Sequence, residues 1–209
     1  RKQFSVVVER TVNELNGITC LSWDEVKQPK KEIFSTRSFG NRITEVHGLK
    51  AALITHCSIV ARKLRAQKSL AKRMAVFASS SPHDDKHIGG SYFKRSYIYE
   101  FPVASSDSTV LANAVNSLLP HLFQQGVRYY RCGVGAIELE SELFRQSDIF
   151  STSIDNPELM DCYDRINRRF GYGALNIASE SQTKTKTWQM KREFMSPRYT
   201  TSWRDIPKI

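Results

Sequence analysis

Lys30-Lys31-Glu32-Ile33-Phe34-Ser35-Thr36-Arg37-Ser38-Phe39-Gly40 is the stretch on which the reading of this chain turns. Alternation places Ile33, Ser35, Arg37 and Phe39 on one face and Phe34, Thr36 and Ser38 on the other, so the run reads as a β-strand ended by Gly40-Asn41. Its polar members are hydroxyls and a guanidinium, with two lysines just before them. Such a strand can hydrogen-bond a line of phosphates. The same alternation also describes an ordinary half-buried strand with a polar outer face, and the stretch alone leaves both readings open.

Downstream, Leu49, Leu53, Cys57, Val60, Ala61 and Leu64 recur as an apolar stripe and predict a helix from about His47 to Gln67. The helix's other face and the residues after it carry Arg62, Lys63, Arg65, Lys68, Lys72 and Arg73. Lys72 to Ser81 alternates as a second strand with Met74, Val76 and Ala78 on one face. Pro82 to Gly90 reads as a turn, and Ser91 to Val103, rich in Tyr and Phe, as a third strand pairing with the second. Asp107 or Ser106 caps a second helix running through Gln125, with Val110, Leu111, Ala114, Val115, Leu118, Leu119 and Leu122 as its buried stripe and Gly126 as its stop. Val127 to Leu139 returns as a fourth strand. The order βαββαβ predicts an α+β fold, a four-stranded antiparallel sheet with two helices on one face and the other face open.

The chain has 209 residues, of which 40% are apolar, enough for one sizeable domain with appendages. A formal net charge of +10 and a pI near 9.6 point to a polyanionic partner, nucleic acid first. No apolar run approaches the length of a membrane span and the N-terminal stretch lacks a signal-peptide core. Cys20, Cys57, Cys132 and Cys162 form no CxxC pair, which fits free thiols in a reducing cytoplasm. The first residue is not Met, and Phe4, Val8, Val12 and Leu15 already stand at helical spacing before Gly17, so the chain reads as a piece of a longer protein.

Nucleotidyl transfer needs carboxylates on neighbouring strands or turns that hold two divalent metals. The close acidic pairs, Asp24-Glu25 and Asp84-Asp85, lie in a connector and a Pro-initiated turn, and no catalytic residue is assigned. His83 and His87 have i, i+4 spacing but no third clear ligand, so no metal site is assigned either. An RNA-stacking RRM would need aromatics in its RNP1 pattern. Tyr92, Phe93, Tyr97, Tyr99 and Phe101 lack its glycines and spacing, and read as packing residues.

Thr36-Arg37-Ser38-Phe39-Gly40 resembles the Ser-Arg-Ser-Phe-Gly run that opens the little finger of Y-family translesion DNA polymerases, most closely the UmuC/MucB/ImpB branch. Gly126-Val127-Arg128-Tyr129-Tyr130-Arg131-Cys132-Gly133-Val134 is similar to that family's fourth strand, and the run from Trp188 to Thr201 resembles the C-terminal signature of UmuC-type subunits. The resemblance implies four segments: the end of the thumb and a tether at 1–30, the DNA-binding little finger at 31–141, a linker at 142–156 and a C-terminal extension at 157–209. In the extension, Pro157 to Phe170 reads as a charged helix with Leu159, Tyr163, Ile166 and Phe170 on one side and Arg165, Arg168 and Arg169 outside, followed by a short strand at Ala174 to Ala178.

The resemblance further implies that the open sheet face grips duplex template-primer DNA, with Lys31, Ser35, Arg37, Ser38, Lys72, Arg73, Lys94, Arg95, Arg128 and Arg131 as candidate contacts. Gln146-Ser147-Asp148-Ile149-Phe150 is similar to the peptide by which bacterial polymerases dock on the sliding clamp: Gln146 offers donor and acceptor, and Ile149 and Phe150 fill an apolar pocket beside Asp148. Trp188, Met190, Arg198, Tyr199 and Trp203 are candidates for a partner protein, by resemblance a processed UmuD-type dimer or RecA in the SOS response. The parent would be a polymerase whose palm, with Mg2+ and dNTPs, lies upstream. No cofactor is expected in these residues. A protein-binding adaptor without DNA contact, or a self-contained phosphoryl-transfer enzyme, are the alternatives. Salt-sensitive duplex binding and metal-dependent turnover distinguish them.

Overall fold

The computed structural model describes residues 5–20, 28–83, 92–144, 155–180, 195–200 and 202–206. It divides into two units, Arg1–Lys30 and Lys31–Ile209. In the first, α1 (Val6–Leu15) buries none of its residues, so the apolar spacing that predicts the helix does not become a core within this unit. Gly17, at φ 79°, ends it in a left-handed turn in which the Gly17 and Ile18 amides donate to the carbonyls of Glu14 and Asn13.

The second unit holds β1 (Ile33–Ile43), α2 (Val46–Gln67), β2 (Ser69–Ser79), β3 (Lys94–Ser105), α3 (Ser108–Leu122), β4 (Tyr129–Ser141) and α4 (Pro157–Phe170). The strands form one antiparallel sheet in the order β1-β4-β2-β3, so each βαβ crossover straddles one strand, as the predicted order requires. Alternation fixes which side chains meet the helices. Ile33 of β1, Cys132, Val134 and Ala136 of β4, and Met74, Val76 and Ala78 of β2 face inward. They pack against Leu49, Leu53, Cys57, Val60 and Leu64 of α2 and Leu111, Val115, Leu119 and Leu122 of α3 in one core.

Several boundaries depart from the sequence reading, each for a local reason. β1 does not stop at Gly40-Asn41. It runs to Ile43 through an irregularity in which Ser38 pairs with Arg131 and Ile43 with Tyr129, and the extra residues return Phe39 and Ile43 to the core. Lys68 ends α2 in a left-handed conformation (φ 54°), which lets β2 begin at once at Ser69 rather than at Lys72. α3 stops at Leu122 instead of Gln125, because the Tyr129 hydroxyl accepts the Gln124 amide at 2.8 Å and donates to the Leu122 carbonyl at 3.1 Å. Asp107 is its N-cap, accepting from the Thr109 amide at 2.7 Å.

Of the aromatic residues read as packing residues, Phe101 is in the core and Phe93 and Tyr99 pack against it, whereas Tyr92 and Tyr97 are exposed. Tyr99 meets Phe101 edge-on with ring centres 5.0 Å apart, and Phe93 meets Tyr129 at 5.8 Å. Cys57 and Cys132 are buried free thiols. In α4 the buried positions are Met160 and Asn167, whereas Leu159 and Phe170 are exposed, so the inward face is rotated from the predicted stripe. The segment 174–178 is not a strand. It is a turn organised by Asn167, whose side-chain oxygen accepts the amides of Gly173 and Leu175 and whose nitrogen donates to the Leu175 carbonyl. Among the described residues no helix is long and apolar enough to cross a membrane.

Candidate nucleic-acid interface

Among the described residues of the second unit both sheet-covering helices lie on one side, and the strand register sorts the residues of the other side into rows that run across the strands. Ser38 pairs with Arg131, Arg131 with Ser79 and Ser79 with Lys94, so the first row is Ser38, Arg131, Ser79, Lys94. At about 4.8 Å between strands it extends roughly 14 Å. The second row is Thr36, Gly133, Phe77, Ser96, and the third Phe34, Gly135, Ala75, Ile98. Ile137, Arg73 and Glu100 make the fourth.

These rows differ in chemistry. In the first, Arg131 lies over the Phe77 ring and donates to the Thr36 hydroxyl at 3.1 Å, which holds its guanidinium on the face while Lys94 stands exposed. The third is apolar and partly open, Phe34 being 43% and Ile98 62% exposed. The two glycines of β4 are structural here. A Cβ at Gly133 would lie 2.6 Å from both Phe77 and Thr36, and one at Gly135 would overlap the Phe34 ring laid across it. In the fourth row Arg73 is neutralised by Glu100 at 3.1 Å and by Glu138 at 2.7 Å, the latter bent toward it at φ 52°. Free positive charge is therefore concentrated at the Ser38–Lys94 end.

The predicted contacts do not share one face. Ser38, Arg73, Lys94 and Arg131 lie on the open side. Ser35, Arg37 and Arg95 belong to the opposite, helix-covered side. Ser35 is buried there, its hydroxyl 2.9 Å from His56 Nδ1 on α2. Arg95 is spent on the end of α3, donating to the His121 carbonyl at 2.7 Å and to Gln124 at 2.8 Å. Arg37 sits at the outer edge, paired beside buried Cys132. Lys31 and Arg128 are exposed just before β1 and β4, and Lys72 donates to the Pro102 carbonyl. Thr36, Ser79 and Phe77 belong to the open face although sequence reasoning did not select them. The alternation that pairs Thr36 with Ser38 was the available signal.

Of the candidate protein contacts, Arg198, Tyr199 and Trp203 are exposed, and the Arg198 amide donates to Asp205. Trp188 and Met190 lie outside the described residues, as do Gln146, Asp148, Ile149 and Phe150. No group of three or more His, Cys, Asp and Glu side chains among the described residues could hold a metal ion.

α4 is tied to the sheet domain. Asp107 uses its second carboxylate oxygen to accept the Asn156 amide at 3.1 Å, Ser105 donates to Asp155 at 2.7 Å, and Ser58 on α2 donates to buried Glu180.

Residues 30–149 match the impB/mucB/samB family C-terminal domain, and residues 157–209 match a domain of unknown function, DUF4113. The chain is 33% identical to protein ImpB of Salmonella typhimurium over 99% of its own length and 48% of that protein. It is 32% identical to protein UmuC of Salmonella typhimurium over 100% of itself and 49% of that protein, and 30% identical to protein MucB of Escherichia coli over 99% and 48%. It thus spans about half the length of the curated relatives it matches. Among solved structures, the little finger domain of PolIV in complex with the beta-clamp processivity factor is a distant likeness, 14% identical with a TM-score of 0.37 over 57% of this chain and 99% of that one. With the family domain matched across all four strands and the predicted βαββαβ order observed, the chain belongs to the impB/mucB/samB family and carries its C-terminal domain.

Proposed function

We propose that this chain is the DNA-gripping and partner-recruiting part of a translesion DNA polymerase of the SOS type, acting in the cytoplasm beside a catalytic part that supplies palm carboxylates, Mg2+ and dNTPs. The observation that carries the reading is one row on the sheet side away from the helices, in which the exposed cations Arg131 and Lys94 stand with the half-buried Ser38 hydroxyl, Ser79 lying buried between them. Hydroxyls and cations in a row recognise phosphate oxygens without reading base edges, so the grip is sequence-independent. Beside them the apolar row of Phe34, Ala75 and Ile98 suits the sugar edges of a duplex. Lys31, Arg37 and Arg128 extend the positive field at the margins, whereas Ser35 and Arg95 serve the fold.

Docking on the sliding clamp is assigned to Gln146, Asp148, Ile149 and Phe150. The exposed Tyr199 and Trp203, with Arg198, Trp188 and Met190, are assigned to an accessory protein, a processed UmuD-type dimer or RecA.

The test is duplex binding by the chain across a salt series. Arg131→Ala and Lys94→Ala should each weaken binding equally on unrelated sequences and lower the slope of log affinity against log salt by about 0.9. Affinity that ignores salt, or that is untouched by both substitutions, would return the chain to the adaptor reading.

A further inference from the structure

A second basic surface lies on the helical side of the domain, away from the open sheet face. α2 and α4 enclose a cleft of about 460 Å3 whose walls carry Arg62, Lys63 and Arg65 from α2 and Arg165 and Arg168 from α4. Two carboxylates, Asp161 and Asp164, also line it, and Asp164 is consumed by Arg65 at 2.7 Å. Five cations against two carboxylates leave the cleft positive.

Tyr172 lines it, and Phe170, the last residue of α4, stands two residues before that ring in the chain. The Arg62 guanidinium lies 3.9 Å from the centre of the Tyr172 ring, and Arg169 lies 5.3 Å from that of Phe170. Both rings are nonetheless solvent-exposed, Tyr172 by 75% and Phe170 by 68%, so each arginine braces a ring that buries little of itself. An apolar ring left in water, next to guanidinium planes and a positive groove, is the arrangement that binds unpaired bases: the groove tracks phosphates and the rings accept stacked bases irrespective of sequence. A duplex, whose bases are already stacked, has no use for the rings. An acidic peptide would use the charges and leave the rings idle.

We infer that the α2–α4 cleft is a binding site for single-stranded nucleic acid, separate from the sheet face. Arg165, Arg168 and Lys63 contact backbone phosphates, and Tyr172 stacks on a base. Arg62 positions Tyr172. Two nucleic-acid segments, one paired and one unpaired, are thereby held on opposite sides of one rigid core.

The experiment measures fluorescence anisotropy of a labelled oligothymidylate and of a labelled blunt duplex with the full chain, its Arg165→Ala/Arg168→Ala variant, Tyr172→Ala, Tyr172→Phe and Arg131→Ala/Lys94→Ala, with a melting curve for each. The cleft variants should lose about tenfold in oligothymidylate affinity and keep duplex affinity within about twofold. Tyr172→Phe, which retains the ring, should bind as the parent does. Arg131→Ala/Lys94→Ala should show the reverse preference, so the two sites fail independently. All the substituted cleft residues are exposed and should leave melting unchanged; should the double variant melt early, Tyr172→Ala alone decides. Absence of oligothymidylate binding by the parent chain, equal affinity in parent and Tyr172→Ala, loss confined to the sheet variant, or displacement by polyglutamate at the same charge concentration as by oligothymidylate would each overturn the assignment.

Discussion

Arg65 of α2 holds Asp164 of α4 through two parallel hydrogen bonds, Nε to Oδ2 at 2.7 Å and the terminal nitrogen to Oδ1 at 2.8 Å. The remaining guanidinium nitrogen donates to the Ser106 carbonyl at 2.7 Å and the Ser108 hydroxyl at 3.0 Å, at the start of α3. One side chain thus fastens both sheet-covering helices to the extension. Its fork geometry and the low exposure of both partners make this a charge-assisted contact of the strong kind.

Arg65→Ala is expected to destabilise the second unit by about 2–4 kcal/mol, because it strands the Asp164 carboxylate and two acceptors of α3 in a mostly buried place. Arg65→Lys should recover little of this, since an ammonium cannot make the bidentate contact. Urea unfolding of the three proteins checks the order parent, Lys, Ala. A Lys variant as stable as the parent would show that charge alone suffices.

Ser35 and Ser38 stand three residues apart on one strand and should respond oppositely. Ser35→Ala removes a buried hydrogen bond to His56 Nδ1 and is expected to cost about 0.5–1.5 kcal/mol, the net range for one hydrogen bond, with duplex affinity unchanged. Ser38→Ala should leave stability within about 0.5 kcal/mol and weaken duplex binding. Paired melting and binding measurements would contradict the face assignment if the two effects were exchanged.

Burial pushes the thiols of Cys57 and Cys132 far above their ordinary value, with the Glu180 charge adding to the effect at Cys57. In the native protein a thiol reagent at mildly alkaline pH should therefore modify Cys162 and Cys20 and spare the two buried thiols until denaturant is added. The sign for stability follows from proton counting. Above roughly pH 8.5 the unfolded chain releases both protons while the folded chain keeps them, so each thiol lowers stability by about 1.4 kcal/mol per pH unit in that range and contributes no pH dependence below it. Cys57→Ser and Cys132→Ser, compared with the parent in alkaline unfolding titrations, should each flatten this fall.

Ile149→Ala together with Phe150→Ala should abolish capture of the chain by a sliding clamp, since two apolar anchors worth roughly 1.5–3 kcal/mol each are removed from a short peptide contact. Duplex affinity and melting should stay as in the parent. A titration of labelled clamp against both proteins reads the outcome, and unchanged clamp affinity or a large fall in melting temperature would count against the tether.

What the sequence by itself determined was periodicity. The i, i+2 alternation in β1, β2 and β4 and the 3.6-residue stripes of α2 and α3 are properties of the local chain, and they carried the element order and most of the core, while the family resemblance rested on the residue identities at 36–40, 126–134 and 188–201. Period 2 also separates Ser35 and Arg37 from Thr36 and Ser38 without structural help. It cannot say which of the two faces is covered, because the helices that cover it come from other parts of the chain; hence the predicted contacts mixed both faces, and only the packed helix layer sent Ser35 to His56 and left Ser38 beside Arg131. The same limit explains α4. Its apolar spacing favoured Leu159 and Phe170, yet docking is decided by polar groups at long sequence separation, Arg65 on Asp164 and Ser58 on Glu180, which no local period encodes. Charge behaves likewise: Arg73 and Arg131 read alike in sequence, but two carboxylates from β3 and β4 neutralise the first, and tertiary contact alone leaves the second facing solvent as a cation.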